Sequence, residues 1–251
     1  MKHRLYLPEA CRPRPAAGWQ SDCPGIPLDA DRSHYLNRVL RLRPGAELAC
    51  FDGRGKEWRC RLLTSAPRQC KLQIIELIRD DIEPIELTLA QAWLKGAAMD
   101  AVVQKATELG ATRIWLFLSD RSNVKLDERR LQNRLGHLQR IAASATEQCG
   151  ATWLPRIESK PALRSILATS EDHRRIVLEP GQQSLDAGAV PCPLLLAVGP
   201  EGGWSDPEKA FYESLPEVTA MGLGSMILRA ETVPLAALAA VRQSWGWRRH
   251  G

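Results

Sequence analysis

The first third of the chain has short runs of alternating apolar and polar residues, which predict β-strands. Four such runs occur, at residues 4–7, 46–51, 57–64 and 69–78. One predicted helix interrupts them: Asp31 can cap it, Leu36, Val39 and Leu40 share one face, and Pro44 follows its end. Several short strands with a single helix are typical of a small β-barrel.

Beyond residue 80 the pattern changes to apolar strands that alternate with longer amphipathic segments. Strands are predicted at residues 87–94, 114–118, 175–178, 194–198 and 218–223. Helices are predicted at residues 99–109, 126–149 and 234–245, with another that begins after Ser205. This alternation predicts a parallel α/β sheet with helices on both faces. The polar run at residues 80–84 separates the two patterns, so we expect two domains, residues 1–79 and 80–251.

The positive charge of the chain is concentrated in the first of these domains. Residues 1–79 hold 15 basic and 8 acidic residues, a balance of +7, whereas residues 80–251 hold 19 and 21, a balance of −2. Most of the basic residues are arginine, which binds phosphate through two parallel hydrogen bonds. The asymmetry favours a nucleic acid as partner of the first domain, although a solvated surface with an arginine bias would give the same composition.

Several classes of protein are disfavoured by what the chain lacks. No apolar run approaches the roughly 20 residues that a membrane helix needs, and the N-terminal residues have no apolar signal-peptide core. The seven cysteines form no C-x-x-C motif. Cys50, Cys60 and Cys70 lie in alternating strand patterns, where core positions are expected, and no histidine or cysteine flanks them at the spacing of metal ligands. We therefore expect a cytoplasmic protein with reduced thiols, without a membrane segment and without a metal.

A loop rich in glycine follows the predicted strand at residues 194–198. It reads Gly199-Pro200-Glu201-Gly202-Gly203 and leads into a helix that Ser205 can cap. Glycines allow a ligand to approach the backbone closely, and open α/β sheets bind ligands at the carboxyl ends of their strands. We therefore favour a ligand-binding loop over an ordinary turn between strand and helix.

A second candidate segment follows the last predicted strand and reads Met221-Gly222-Leu223-Gly224-Ser225-Met226-Ile227-Leu228-Arg229-Ala230-Glu231-Thr232. A dinucleotide-binding motif is excluded because Ile227 stands where the third glycine is required, and too few residues follow for another βαβ unit. Arg229 and Glu231 form a charged pair beside the glycines. Such a pair is a candidate active site, and a surface ion pair at a helix start is the alternative.

Ordered blocks along the chain can be considered together. They are Lys95-x3-Met99-Asp100-x2-Val103-Gln104-Lys105-x-Thr107-Glu108-Leu109-Gly110, Arg121-Ser122, Glu147-Gln148, the loop from Gly199 to Gly203, and Leu223-Gly224-x2-Ile227-Leu228-Arg229-x-Glu231-Thr232. Together they resemble the RsmE family, bacterial ribosomal RNA uracil-N3 methyltransferases of the SPOUT class. Arg4 and His34-x4-Val39-Leu40-Arg41 fit the small RNA-binding barrel of that family. The chain departs from the family pattern at Asp120, where glutamate is usual, and at Val233-Pro234, where alanine is more usual.

The resemblance implies a fold that periodicity alone does not show. It predicts a SPOUT-type α/β methyltransferase domain with a trefoil knot, preceded by a small PUA-like β-barrel. In such proteins the knot holds S-adenosylmethionine, and two knots pair in a homodimer. Carried onto this chain, the cofactor-binding residues are Leu178, Glu179, Gly199, Pro200, Glu201, Gly202, Gly203, Met221, Leu223, Gly224, Ile227 and Leu228.

The implied activity is methylation of N3 of a specific uridine in 16S ribosomal RNA, within the small ribosomal subunit. Arg229 would orient the uracil and favour its anionic form, and Glu231 would hold Arg229 or relay the proton. The residues expected to contact RNA are Arg4, His34, Arg38, Arg41, Lys95 and Arg121. Two alternatives stay open: a ribose 2′-O RNA methyltransferase of the same knotted class, and an RNA-binding protein without catalysis.

Overall fold

The structure, a computed structural model, describes residues 3–11, 25–66, 68–124 and 127–246 and divides into two compact units. The first unit contains the residues up to Glu83 together with Gly150–Trp153. The second contains Pro84–Cys149 and the described residues 154–246. The division at Glu83-Pro84 lies four residues beyond the expected position, and Gly150–Trp153 joins the first unit although it is distant in sequence. The predicted helix start at residue 126 lies outside the described residues.

A five-stranded sheet forms the first unit, with the strand order β1-β3-β4-β5-β2. Its strands are β1 Arg4–Tyr6, β2 Ile26–Pro27, β3 Glu47–Phe51, β4 Lys56–Thr64 and β5 Lys71–Asp80. β1 runs parallel to β3, and the other pairs are antiparallel. The enclosed core is mainly leucine and cysteine: Cys50, Cys60 and Cys70 are fully buried in it. These cysteines are core residues, as their place in the alternating pattern indicates.

The helix of the first unit differs in two details from the prediction. Helix α1, Ala30–His34, continues into a π-helical segment, Tyr35–Val39. Its cap is Asp29, whose carboxylate accepts a hydrogen bond from the Arg32 N–H, so the prediction of Asp31 as the cap is wrong. Val39 is 59% exposed and does not share the buried face of Leu36, because the π-helical turn rotates it away from the helical position.

The second unit is a six-stranded parallel sheet, as the alternating pattern predicts. Its strands are β6 Leu87–Ala92, β7 Arg113–Phe117, β8 Arg156–Lys160, β9 Arg174–Leu178, β10 Leu194–Val198 and β11 Val218–Met221. Their order is β11-β9-β10-β6-β7-β8. Its helices are α2 Ala97–Glu108, α3 Glu128–Cys149, α4 Leu163–Ala168, α5 Asp206–Glu213 and α6 Val233–Trp245. Strand β8 and helix α4 are elements that the apolar pattern did not predict.

The helices cover both faces of this sheet. Helices α2, α3 and α6 pack with Leu87, Leu89 and Leu196 into one core. Helices α4 and α5 pack on the opposite face against alternate strand residues such as Ala90 and Leu195. The strands in the middle of the sheet therefore bury side chains on both faces, as is usual in parallel sheets.

The connection from β9 to β10 lies over the segment that follows β11. Gly222 is buried, whereas residues 180–184 of the connection are exposed. The two segments are joined by hydrogen bonds from the Gly222 N–H to the Gln183 carbonyl, 2.7 Å, and from the Leu185 N–H to the Gly222 carbonyl, 2.8 Å. The chain then continues to α6, which packs against α2 and β10, beyond β9. These contacts fit the trefoil knot that the resemblance implies, in which the last segment passes between the sheet and the 179–193 connection, a rarity among folds.

Candidate active site at the carboxyl ends of three adjacent strands

The predicted cofactor-binding residues follow three strands that are neighbours in the parallel sheet. Leu178 ends β9, Gly199 follows β10, and Met221 ends β11. Because the strands are parallel, their carboxyl ends lie at one edge of the sheet. The structure therefore brings the three predicted segments together at the edge where α/β sheets bind ligands.

The 199–203 loop is a tight turn in which Gly203 is required by its backbone conformation and Gly199 by the closeness of a neighbouring side chain. The Gly203 N–H donates to the Pro200 carbonyl at 2.9 Å, and Gly203 has a φ of +68°, which favours glycine. A β-carbon on Gly199 would lie 3.2 Å from the ring of Trp204. Gly199 and Pro200 are buried, while Glu201 and Gly202 are exposed. The loop thus has a fixed base and an accessible tip.

Trp204 connects this loop to the neighbouring strand. Its indole N–H donates to the Leu178 carbonyl at 3.0 Å, and its ring stacks on Phe117. The side chain is buried, so its role here is packing rather than a border accessible to a ligand. The hydrogen bond and the packing hold the ends of β9 and β10 in a fixed relation.

Glu179 directs its carboxylate away from the strand ends and toward helix α5. It accepts a hydrogen bond from the Tyr212 hydroxyl and pairs with Lys209. Burial and the adjacent Glu179 raise the pKa of Tyr212 above its usual range. The backbone of Glu179 donates to the Met221 carbonyl at 2.9 Å, so Glu179 joins β9 to both α5 and β11. No local sequence signal indicated this contact, because Tyr212 lies 33 residues away.

Gly222 is the tightest point of the threaded segment. A β-carbon there would lie 2.7 Å from the Gln182 carbonyl oxygen and 3.2 Å from that of Glu179. Both neighbours are backbone atoms, which cannot move aside as a flexible side chain can. Glycine is therefore required where the chain passes under the connection.

The residues that follow Gly222 become progressively exposed. Leu223 and Leu228 are partly buried, and Gly224 has a φ of +98°. Met226 and Ile227 are 78% and 87% exposed, so in the single chain they do not form a covered apolar wall. The predicted contact of Ile227 with the cofactor stays a prediction.

Arg229 and Glu231 lie at the entrance to helix α6. The Arg229 side chain is 86% exposed, and its guanidinium lies 3.9 Å from the Glu231 carboxylate. The Arg229 carbonyl accepts hydrogen bonds from the N–H groups of Thr232 and Val233, which fix the backbone at the helix start. The pair thus combines a fixed backbone with a side chain that is free to meet a substrate.

The expected RNA-contacting residues of the first unit fall into two groups. His34 at the end of α1, Arg38 in the π-helical segment and Arg41 after it are exposed. The guanidinium of Arg4 instead bonds the Glu57 carboxylate at 2.7 Å and the Ala151 carbonyl at 2.8 Å, and it is mostly buried. Arg4 therefore serves to hold the first unit together, and its predicted phosphate contact has little accessible surface.

In the second unit, Lys95 and Arg121 lie on loops after strands. Lys95 is exposed between β6 and α2. Arg121 lies against the glycine loop: its guanidinium donates to the Gly202 carbonyl at 3.2 Å. A β-carbon on Gly202 would lie 3.2 Å from the Arg121 β-carbon, which shows how closely the two segments pack. Arg121 is thus tied to the candidate cofactor loop.

The residues at this edge suit an organic cofactor. Gln91 of β6, paired with Val198, is fully buried and donates to the Gly199 carbonyl at 3.4 Å. Its side-chain oxygen has no hydrogen-bond partner among the described residues, which leaves an acceptor beside the loop. The other groups at this edge of the sheet are glycines and backbone N–H and carbonyl groups.

Within the described ranges, no group of three acidic, histidine or cysteine residues could hold a metal ion. No helix in those ranges has the length and apolarity to cross a membrane.

Comparison with known proteins agrees with this geometry. Residues 81–242 match an RNA methyltransferase domain family, and residues 28–75 match an RNA methyltransferase PUA domain. The ribosomal RNA small subunit methyltransferase E of Synechocystis is 33% identical over 231 residues, which cover 86% of this chain and 72% of the relative. The chain belongs to the RsmE family. The Bacillus subtilis member is 30% identical and covers 88% of this chain and 90% of its own length.

Solved structures of RsmE-like proteins share the whole architecture. An RsmE of Neisseria gonorrhoeae bound to S-adenosylmethionine is 32% identical, with a TM-score of 0.83 over 98% of this chain and 99% of that chain. A methyltransferase of Legionella pneumophila in complex with the same cofactor is 27% identical, with a TM-score of 0.85 over 96% and 97%. The fold is therefore that of a SPOUT methyltransferase with a PUA-like domain, as the resemblance implied.

Proposed function

We propose that this protein transfers a methyl group from S-adenosylmethionine to N3 of a specific uridine in 16S ribosomal RNA of the small subunit. The observation that carries the proposal is the placement of an exposed Arg229 directly after the threaded segment at the carboxyl ends of β9, β10 and β11. Membership of the RsmE family and the cofactor bound in two similar structures support it.

The cofactor supplies a methyl group already activated by its sulfonium, so the protein needs to orient the uracil and manage one proton. The guanidinium of Arg229 can bind a uracil oxygen and favour the anionic form of the base. Glu231 can hold Arg229 in place or accept the N3 proton. The backbone of the 199–203 loop and of residues 221–228, with Leu178, would surround the cofactor.

A variant of Arg229 tests this function. Arg229→Ala should lower turnover at least a hundredfold, because positioned acid–base and charge groups contribute about that factor or more. Its affinity for S-adenosylmethionine, measured by calorimetry, should change less than about threefold, because the Arg229 backbone contacts at the start of α6 remain. Arg140→Ala, on the exposed side of α3, is the matched control with full turnover expected.

The position of the methyl group separates the proposal from its alternatives. Nuclease digestion and mass spectrometry should locate it on uracil N3, and a methyl on the ribose would refute the assignment. Full turnover in Arg229→Ala would refute the role of that residue. Absence of cofactor binding in the wild type would favour an RNA-binding protein without catalysis. Assays on naked RNA and on assembled small subunits identify which form is the substrate.

We propose that RNA contacts the exposed residues His34, Arg38 and Arg41 of the first unit, with Lys95 and Arg121 nearer the catalytic residues. The balance of +7 in residues 1–79 supports this division.

We also propose a cytoplasmic homodimer. The exposure of Met226 and Ile227 supports the pairing, because large apolar side chains exposed side by side are typical of contact surfaces. Sedimentation of the purified protein should give twice the mass of the chain.

A further inference from the structure

The turn at residues 119–122 follows β7, and apart from the RNA contact of Arg121 it has no role in the function proposed above. It is closed by two hydrogen bonds, from the Ser122 N–H to the Ser119 carbonyl at 2.9 Å and from the Ser119 N–H to the Ser122 hydroxyl at 3.0 Å. A turn fixed in this way at a strand end presents its side chains in one arrangement. Its Asp120 is also a position where the chain departs from the usual RsmE sequence.

Polar side chains join this turn to the start of helix α5. The Ser205 hydroxyl donates to the Asp120 carboxylate at 2.5 Å. The Glu208 carboxylate accepts from the Ser119 hydroxyl at 3.0 Å and from the Asp120 N–H at 3.3 Å. The contacts span about a third of the chain in sequence, since Asp120 and Ser205 are 85 residues apart.

The same two residues of α5 also cap the helix. Glu208 accepts from the Ser205 N–H at 2.9 Å, and the Ser205 hydroxyl accepts from the Glu208 N–H at 3.2 Å, which completes a capping box. The serine hydroxyl therefore donates its one hydrogen to Asp120 and accepts the Glu208 N–H with one of its two lone pairs. Each carboxylate near the helix start is also favoured by the helix dipole.

Only Trp204 separates Ser205 from the glycine loop, so fixing Ser205 fixes one end of that loop. Arg121 fixes its tip through the Gly202 carbonyl. We propose, on the basis of the methyltransferase function above, that the 119–122 turn positions the 199–203 loop for S-adenosylmethionine. In this role Asp120 acts through Ser205 as a positioning residue. A loop held in its binding conformation loses less entropy when the cofactor binds, so the turn increases cofactor affinity.

The test is calorimetric titration of the full-length protein with S-adenosylmethionine. Asp120→Ala should raise Kd about tenfold, the effect of losing a hydrogen bond to a charged group. Asp120→Asn keeps an acceptor oxygen and should remain within about threefold of wild type. Asp172→Ala, an exposed aspartate on another turn of the same unit, is the control and should bind like wild type.

A double-mutant cycle shows whether Asp120 acts through Ser205. In the Ser205→Ala background, Asp120→Ala should change Kd less than about twofold, because the hydrogen bond is already absent. Turnover should show a raised KM for S-adenosylmethionine and an unchanged KM for ribosomal RNA. A role in helix capping alone would lower the melting temperature and leave Kd unchanged, which would overturn the proposal.

The outcomes distinguish this role from the function on which it rests. Cofactor binding by the wild type together with an unchanged Kd in Asp120→Ala overturns only the positioning role. If Asp120→Ala and Ser205→Ala have additive effects on the binding free energy of S-adenosylmethionine, the claim that Asp120 acts through Ser205 is overturned. Failure of the wild type to bind S-adenosylmethionine overturns the proposed function and the positioning role with it.

Discussion

Arg41 is the only non-glycine residue with a positive φ, +52°, in the part of the chain that the structure describes. For an L-residue this conformation costs about 1 kcal/mol relative to glycine. The Leu42 N–H donates to the Leu36 carbonyl at 2.9 Å across this position, so the turn at the end of the π-helical segment depends on it. A strained residue that is also exposed and basic is a candidate for function rather than for stability.

The strain at Arg41 predicts opposite effects on stability and on binding. Arg41→Gly should leave the free energy of unfolding unchanged or raise it by up to about 1 kcal/mol, because glycine adopts a positive φ without a steric penalty. RNA affinity should fall, since a guanidinium is lost. Arg43→Gly, at a neighbouring position without a positive φ, should only destabilise. Denaturant titration and RNA binding measure the two effects, and a destabilised Arg41→Gly would contradict the prediction.

Tyr212 predicts how stability changes at alkaline pH. Its pKa in the folded protein is raised above the usual value of 10.0 by burial and by Glu179, so the unfolded chain releases this proton first. Folded stability should therefore decrease as pH rises above about 10, by about 1.4 kcal/mol per pH unit for this group. In Tyr212→Phe this contribution should be absent. Denaturant titrations of both proteins at several alkaline pH values check it, and parallel curves would contradict it.

At the scale of elements, the passage of the segment after β11 under the 179–193 connection depends on one glycine. Gly222→Ala should destabilise the protein by more than about 2 kcal/mol and weaken cofactor binding, because its β-carbon would meet two backbone oxygens. Gly136→Ala is the matched control. It lies in helix α3, where a β-carbon meets only the end of Arg140, so it should stabilise by about 0.5–1 kcal/mol. Equal melting temperatures for the two variants would contradict this prediction.

The elements that sequence predicted are those with a strong local pattern. Strand β10 was predicted to the residue because all five of its side chains are apolar and buried. Strand β8 was missed because it lies at the sheet edge and buries only Ile157, and α4 because its six residues give too short a periodic pattern. The two glycine-rich segments of the candidate site could be identified from the sequence, because their glycines are close together in it. The contact of Asp120 with Ser205 could not, since no local pattern relates residues so far apart.

At the scale of the whole molecule, each unit has its own charge and its own task in the proposed function. Truncating the chain at residue 79 would not separate RNA binding from methyl transfer, because it would also remove contacts within the first unit. Asp81 and Gly150–Trp153 belong to the first unit, where Arg79 pairs with Asp81 and bonds the Gly150 carbonyl. Single charge variants of the full chain therefore test the division of labour better than a truncation.

Removing one exposed charge of the first unit should affect RNA and cofactor differently. In Arg38→Gln, the slope of log affinity for RNA against log salt should fall by about 0.7–0.9, the value for one phosphate contact. Affinity for S-adenosylmethionine should be unchanged. Arg61→Gln, whose arginine pairs with Glu47, makes the same charge change and should keep the wild-type slope. Equal slopes in wild type and Arg38→Gln would place the phosphate contact elsewhere.

The threading of the chain also sets an order for biosynthesis. All six strands of the second sheet precede α6 in sequence, so they leave the ribosome before the segment that must pass under the connection. In the knot that the resemblance implies, the segment that leads to α6 passes through a loop of about fifteen residues, and an unfolded segment does so more easily than a folded body. A stably folded fusion partner attached after α6 should therefore slow maturation, whereas the same partner at the N-terminus should not.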